Sequence, residues 1–167
     1  MEPQSSLLNE FEEKEKLGTL KTLTILTFIG SGVLFLASLW GFVMGKSGYD
    51  KMQQAINDGT VDKLPEFFKS QYTPEKMELM KKAVDNGLPI FIISTICYVL
   101  CMYGALQMRK QKKEGYWLWL IGELLPFFAT AFFVGIEYFV GLGSYFAIAI
   151  VLTFIILYSV QRKHLTR

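Results

Sequence analysis

Histidine and cysteine are almost missing from this chain: His164, Cys97 and Cys101 are the only three in 167 residues. That inventory cannot supply a zinc site, an iron–sulfur cluster or a bis-histidine haem, so neither a metal nor a cofactor is expected. Both cysteines fall inside one uncharged apolar run, which excludes a disulfide framework. Charge is sparse as well. Charged residues make up 19% of the chain and the net charge is +2, too small for a nucleic-acid-binding surface. There is no Gly-rich phosphate loop, nucleophile elbow, HExxH or DxD-like cluster, so nothing positive argues for an enzyme. Adjacent acids occur only in solvated patterns such as Glu12-Glu13. Internal repeats, low-complexity stretches and Asn-x-Ser/Thr sequons are missing too; the last, with the small size, favours a bacterial source. Residues 1–16 are acidic and lack the basic start and small-residue cleavage site of a signal peptide, so the first apolar run is expected to remain as an anchor.

What the chain does have is apolar length. Hydrophobic residues make up 51%, aromatics 15%, and mean hydropathy is +0.31, which places it in the membrane class. Residues 22–45 and 86–108 carry no charge. About 20 apolar residues at ~1.5 Å each cross a hydrocarbon core of roughly 30 Å, so each run predicts one helix. A third run, 115–161, is interrupted only by Glu123 and Glu137. As one helix it would be roughly 70 Å long, over twice the core thickness, so it must fold back. Gly141-Leu142-Gly143-Ser144 is the expected turn, because two glycines permit tight-hairpin backbone angles. No ten-residue alternating pattern suggests barrel strands. The expected fold is therefore all-α, a four-transmembrane-helix bundle with spans at 20–45, 87–108, 116–140 and 144–161. Trp40, Tyr49, Tyr116, Trp117, Trp119, Tyr138 and Tyr145 fall at span edges, where amphipathic rings prefer the headgroup level.

Four spans leave residues 1–19, the loop 109–115 and the tail 162–167 on one side. That side holds the compact cluster Arg109, Lys110, Lys112 and Lys113, with Lys14, Lys16, Lys21, Arg162, Lys163 and Arg167. The other side holds seven lysines diluted over the loop 46–86 and matched by seven acids. The positive-inside rule then predicts cytoplasmic termini. His164 reads as one more interfacial residue. Within 46–86, Thr73 as cap, Pro74 and Glu75 in the first turn and Gly87 beyond the end predict a helix with Met77, Met80 and Val84 on one stripe. A separate short helix is expected over 50–57, stopped by Asp58-Gly59. Phe67, Phe68 and Tyr72 cluster between the two. These short helices are expected to lie on the outer membrane surface or cap the bundle.

Glu123 is the most informative polar residue, because a carboxylate in a span needs a partner, a water-filled pocket or a proton. No Lys or Arg lies within any span to pair with it. Thr130 and Glu137 follow at intervals of seven, which would put all three on one helix face. Pro126 frees a backbone carbonyl near Gly122 and adds a local polar spot. Such a stripe fits either a buried bundle seam or a proton or cation route. Ser94, Cys97, Cys101 and Gly104 form a small-residue stripe suited to close helix packing. A redox role for Cys97 and Cys101 is disfavoured by helix geometry, which strains a disulfide between residues four apart. Thr24, Thr27, Ser31, Ser38 and Gly41 form a second stripe, with Thr27 or Ser31 expected to hydrogen-bond Glu123. The basic cluster suffices as a topology signal without specific lipid recognition.

The functional expectation is a non-enzymatic accessory or scaffold component of a bacterial inner membrane, touching the bilayer and a membrane-protein partner or a second copy. The alternative is a small proton- or cation-coupled transporter using Glu123. A third option is a sensor whose outer loop binds a ligand.

Overall fold

The computed structural model describes residues 3–70, 72–162 and 165, with residues 3–17, 67 and 142 described by backbone alone. Lys163, His164 and Arg167, and the side chains of Lys14, Lys16 and Phe67, therefore lie outside the described residues. Six α-helices and two 3-10 turns, with no strand, make up the described part. They are α1 (Pro3–Asn57), α2 (Glu66–Lys69), α3 (Pro74–Asp85), α4 (Gly87–Arg109), α5 (Glu114–Phe133) and α6 (Leu142–Arg162). Four of them, α1, α4, α5 and α6, are long and apolar enough to cross a membrane, and the fold is an all-α four-helix bundle. Its basic end carries the α4–α5 turn and Arg162; the far end carries α2, α3 and the α5–α6 turn.

The first departure from expectation is α1. It does not stop at Lys46 but runs on to Asn57, 55 residues in all, so 50–57 is its last two turns and not a separate helix. A lysine ends an apolar span without ending a helix, and no proline or capping residue interrupts 46–57. Tertiary contact holds the extension. Val84 and Met80 of α3 lie against Gly45 and Gly48, at 3.6 and 3.7 Å from where a Cβ would stand. Deeper in, Phe42 stacks on Phe91 of α4 with centroids 5.1 Å apart. The chain thus leaves along α1 and returns along α3 and α4 as one long antiparallel hairpin. α3 also touches α5 and the segment Ile136–Phe139 that follows it.

Local chemistry sets the joints. Gly59 takes φ 67° in the turn after α1. Thr73 Oγ1 accepts from the Lys76 backbone N–H at 3.4 Å, with Pro74 in the first turn of α3. Asn86 joins α3 to α4 and, through its side-chain amide, donates to the carbonyls of Lys82 (2.9 Å) and Phe133 (3.4 Å). The second of these is a C-terminal carbonyl of α5 that its own helix leaves unsatisfied.

The second departure is at the end of α5. The helix stops at Phe133, and Gly135 adopts φ 121°, ψ 157°, a region essentially closed to other residues. A 3-10 turn, Ile136–Phe139, then leads to α6, which begins at Leu142. The reversal expected at Gly141–Ser144 therefore starts six residues earlier, because Gly135 reaches angles that continue no helix.

The core sits toward the basic end. Leu20, Leu23, Cys101, Met108, Tyr116, Trp119, Tyr158 and Leu165 form one buried cluster. This corrects the reading of Tyr116 and Trp119 as interfacial rings: Trp119 is 1% exposed and packs at a tilt against Tyr158, with centroids 4.4 Å apart. Only Trp117 of that trio projects outward, under the Arg162 guanidinium at 4.8 Å.

Candidate functional site

The α4–α5 seam is built from residues without bulk. A Cβ on Gly104 would stand 2.5 Å from the Trp119 backbone nitrogen, and one on Gly115 would stand 2.6 Å from the Gly104 carbonyl oxygen. One on Gly122 would stand 2.7 Å from the Cys97 carbonyl oxygen. Backbone therefore meets backbone along three turns, the close approach that small residues permit between apolar helices. Ser94, Cys97, Cys101 and Gly104 all lie buried on the α4 face of this seam, and both thiols are free. On α5 the matching residues Gly115, Gly122 and Ala129 are spaced by seven.

The turn joining the two helices uses Gln111 in the left-handed conformation, φ 60°. Its N–H reaches the Met108 carbonyl (2.8 Å) and the Lys112 N–H reaches that of Gln107 (3.0 Å), a Schellman arrangement made without glycine. Arg109, Lys110, Lys112 and Lys113 surround this turn and are all exposed.

Glu123 sits near the middle of α5, roughly 13 Å from its first residue, and is half-buried. The Cys101 thiol donates to its Oε2 at 3.6 Å and to the Trp119 carbonyl at 3.7 Å. Tyr98 and Tyr158 lie within electrostatic reach of the same carboxyl. The hydrogen bond expected from Thr27 goes elsewhere. Thr27 Oγ1 pairs with the Tyr158 hydroxyl at 2.7 Å, because α6 crosses between α1 and α5 at that level. Ser31 is buried one turn further along α1.

The expected stripe of Glu123, Thr130 and Glu137 is broken. Thr130 stays on the Glu123 side of α5, whereas Glu137 lies in the 3-10 turn beyond the helix, exposed and close to Lys82 of α3. Pro126 lies within α5, so the Gly122 carbonyl loses its intrahelical donor in a turn that α4 packs against closely. Among the described residues no three His, Cys, Asp or Glu side chains converge as a metal site would require.

Beyond Glu123 the bundle opens. A groove of about 510 Å³ runs along the far half between α1 and α5, floored by the start of α4 and by Met80, Ala83 and Val84 of α3, and bounded by Lys46, Thr130 and Tyr138. Ser38 and Gly41 of the α1 stripe line it, so that stripe is divided: Thr24, Thr27 and Ser31 are buried, and its far half is open. No family model, curated protein or solved structure matches this chain.

Residues that the sequence did not single out are Tyr158, Ser159 and the α5 glycines as a seam, while Trp119 was read only as an edge ring. Tyr116 and Ser159 hydroxyls pair at 2.8 Å, a second polar tie of α6, this one to α5. The spacing by seven of Gly115, Gly122 and Ala129 was the available signal for the seam. Nothing in the sequence singles out Tyr158 from the other aromatics near a span edge.

Proposed function

We propose that the chain is a multi-pass integral membrane protein of a bacterial cytoplasmic membrane, with both termini cytoplasmic, and that it serves as a non-enzymatic accessory or scaffold component. The observation that carries this reading is the state of α6. Only 6% of its apolar stretch is buried, against 28% for α4. Its contacts gather at the basic end, at Tyr158, Ser159 and Arg162. Toward the far end Phe146 and Ile150 stand 69% and 46% exposed. An apolar helix tethered at one end offers an unused face to another membrane helix, from a partner protein or a second copy. The basic cluster at the α4–α5 turn supports the orientation by the positive-inside rule.

A photoreactive residue at Phe146 or Ile150 in native membranes tests it. The expected product is one defined protein adduct of fixed stoichiometry; lipid adducts alone would overturn the reading.

A second reading, a proton- or cation-coupled transporter, is supported by Glu123. It is a half-buried carboxyl that accepts from the Cys101 thiol, with Thr130 about 10 Å along the same helix at the groove. Flux in liposomes that Glu123→Gln abolishes, with the folded yield unchanged, would replace the scaffold reading with this one.

A further inference from the structure

We propose that the far-half groove between α1 and α5 is a phospholipid site, with an acyl chain along α4 and an anionic headgroup on Lys46. The proposal rests on the membrane placement given above.

The groove has a closed end and an open end. Toward the basic end Tyr158 fills the space between α1 and α5, bonded to Thr27 on one side and packed at a tilt against Trp119 on the other. Toward the far end about 510 Å³ opens above the start of α4 and the adjoining end of α3. This lies within the ~300–1,000 Å³ of typical small-molecule sites. In a bilayer such a space does not stay empty, because unfilled volume forfeits dispersion contacts on every wall. Acyl chains are the apolar matter present in bulk.

The rim decides between a lipid and a helix. Lys46 is the first charge after 24 uncharged residues and lines the groove where the apolar stretch of α1 ends. Among the described residues it pairs with no acid. An ammonium on a long apolar stem at that level reaches for the headgroup layer. Tyr138, on the other rim, adds a phenol at the same height. A helix laid into the groove would bury the Lys46 charge unless it brought an acid to that level. A phospholipid supplies the anion and the apolar chain together. The lining fits too: Gly41 faces open space, with no atom within 4 Å of where its Cβ would stand.

The test is native mass spectrometry of the full chain released from mixed phosphatidylcholine and phosphatidylglycerol vesicles. Wild type is expected to retain one phosphatidylglycerol in preference to phosphatidylcholine. Lys46→Gln should lower that preference about five-fold, the worth of one lysine at a membrane surface. Gly41→Leu, which fills the groove without touching the fold, should lose the retained lipid of either kind. Retention indifferent to Gly41→Leu would mean annular lipid only and overturn the proposal. A lipid-free dimer would overturn it as well, assigning the groove to a helix of a second copy. Alkaline carbonate extraction of the same membranes separates the two levels of failure. A chain released to the supernatant fails the membrane reading, whereas a chain kept in the pellet without Gly41-sensitive lipid fails the groove alone.

Discussion

The α4–α5 seam and α6 are built from the same kind of apolar helix and are packed in opposite ways. In the seam, glycines at 104, 115 and 122 remove every Cβ that would hold the backbones apart. On α6, Gly143, Ala147 and Ala149 lie exposed with no helix against them, and the helix is held by two hydroxyl pairs and a tilted ring contact near one end. Apolar character cannot explain the difference, because lipid tails are as apolar as leucine and reward no burial between helices. Shape and polar ties decide. Where small residues of two helices face each other, the backbones meet; on α6 they face no helix, and polar ties with one ring contact hold it.

The strongest challenge to that contrast is to add bulk to the seam. Gly104→Ala or Gly122→Ala must displace backbone atoms and is expected to cost about 1–3 kcal/mol or more. Detergent unfolding curves would show it as an early transition, with lower folded yield. Gly41→Ala meets no atom within 4 Å and should leave the curve in place. Equal tolerance at the three positions would refute the close approach.

A smaller effect is expected at α6. Tyr158→Phe and Thr27→Val each remove the same hydrogen bond, for which roughly 0.6–1.7 kcal/mol is typical between membrane helices. The two changes should therefore be non-additive in a double-mutant cycle. Additive losses would mean that the ring contact, and not the hydroxyl pair, tethers the helix.

The smallest effect lies outside the apolar region, at the far-end hairpin. Lys82 donates to Glu78 at 2.8 Å, and this hydrogen bond, with the charge attraction second, holds the Glu78 carboxyl below the usual carboxylate range. The same pair raises Lys82. Glu78 therefore contributes in full above its unfolded pKa and loses that contribution as pH falls through its lower folded value. Lys82 contributes below its unfolded pKa and loses its share as pH rises through its folded value. Both groups are exposed, so the change is slight. Helicity of α3, followed from pH 6 down to pH 3, should fall a little in wild type and be flat over that range in Glu78→Gln.

The spans were legible because uncharged length is a direct consequence of the hydrocarbon solvent, and it locates α4 within a residue or two. The cap of α3 was legible because Thr73, Pro74 and Glu75 act locally. The continuation of α1 to Asn57 was not, since Gly45 and Gly48 count against a helix until Val84 and Met80 are seen lying on them. Gly135 was not, because its positive φ depends on where α5 meets Asn86. Of the candidate site, Glu123 and its lack of a basic partner in the spans were plain from charge alone. Its partner Cys101 sits 22 residues away on another helix, and Tyr158 binds Thr27 across 131 residues. Such pairings depend on which faces turn together, which periodicity restricts but does not select.

The unbroken length of α1 has a mechanical consequence. No proline follows Pro3 in its 55 residues, so the segment clasped by α3 and the segment carrying Thr27 are parts of one rod. What bending the rod allows is expected at Gly30-Ser31-Gly32, between the clasp and the tether, so the stiffness of that one joint sets how far a push on the hairpin tip is felt at Tyr158.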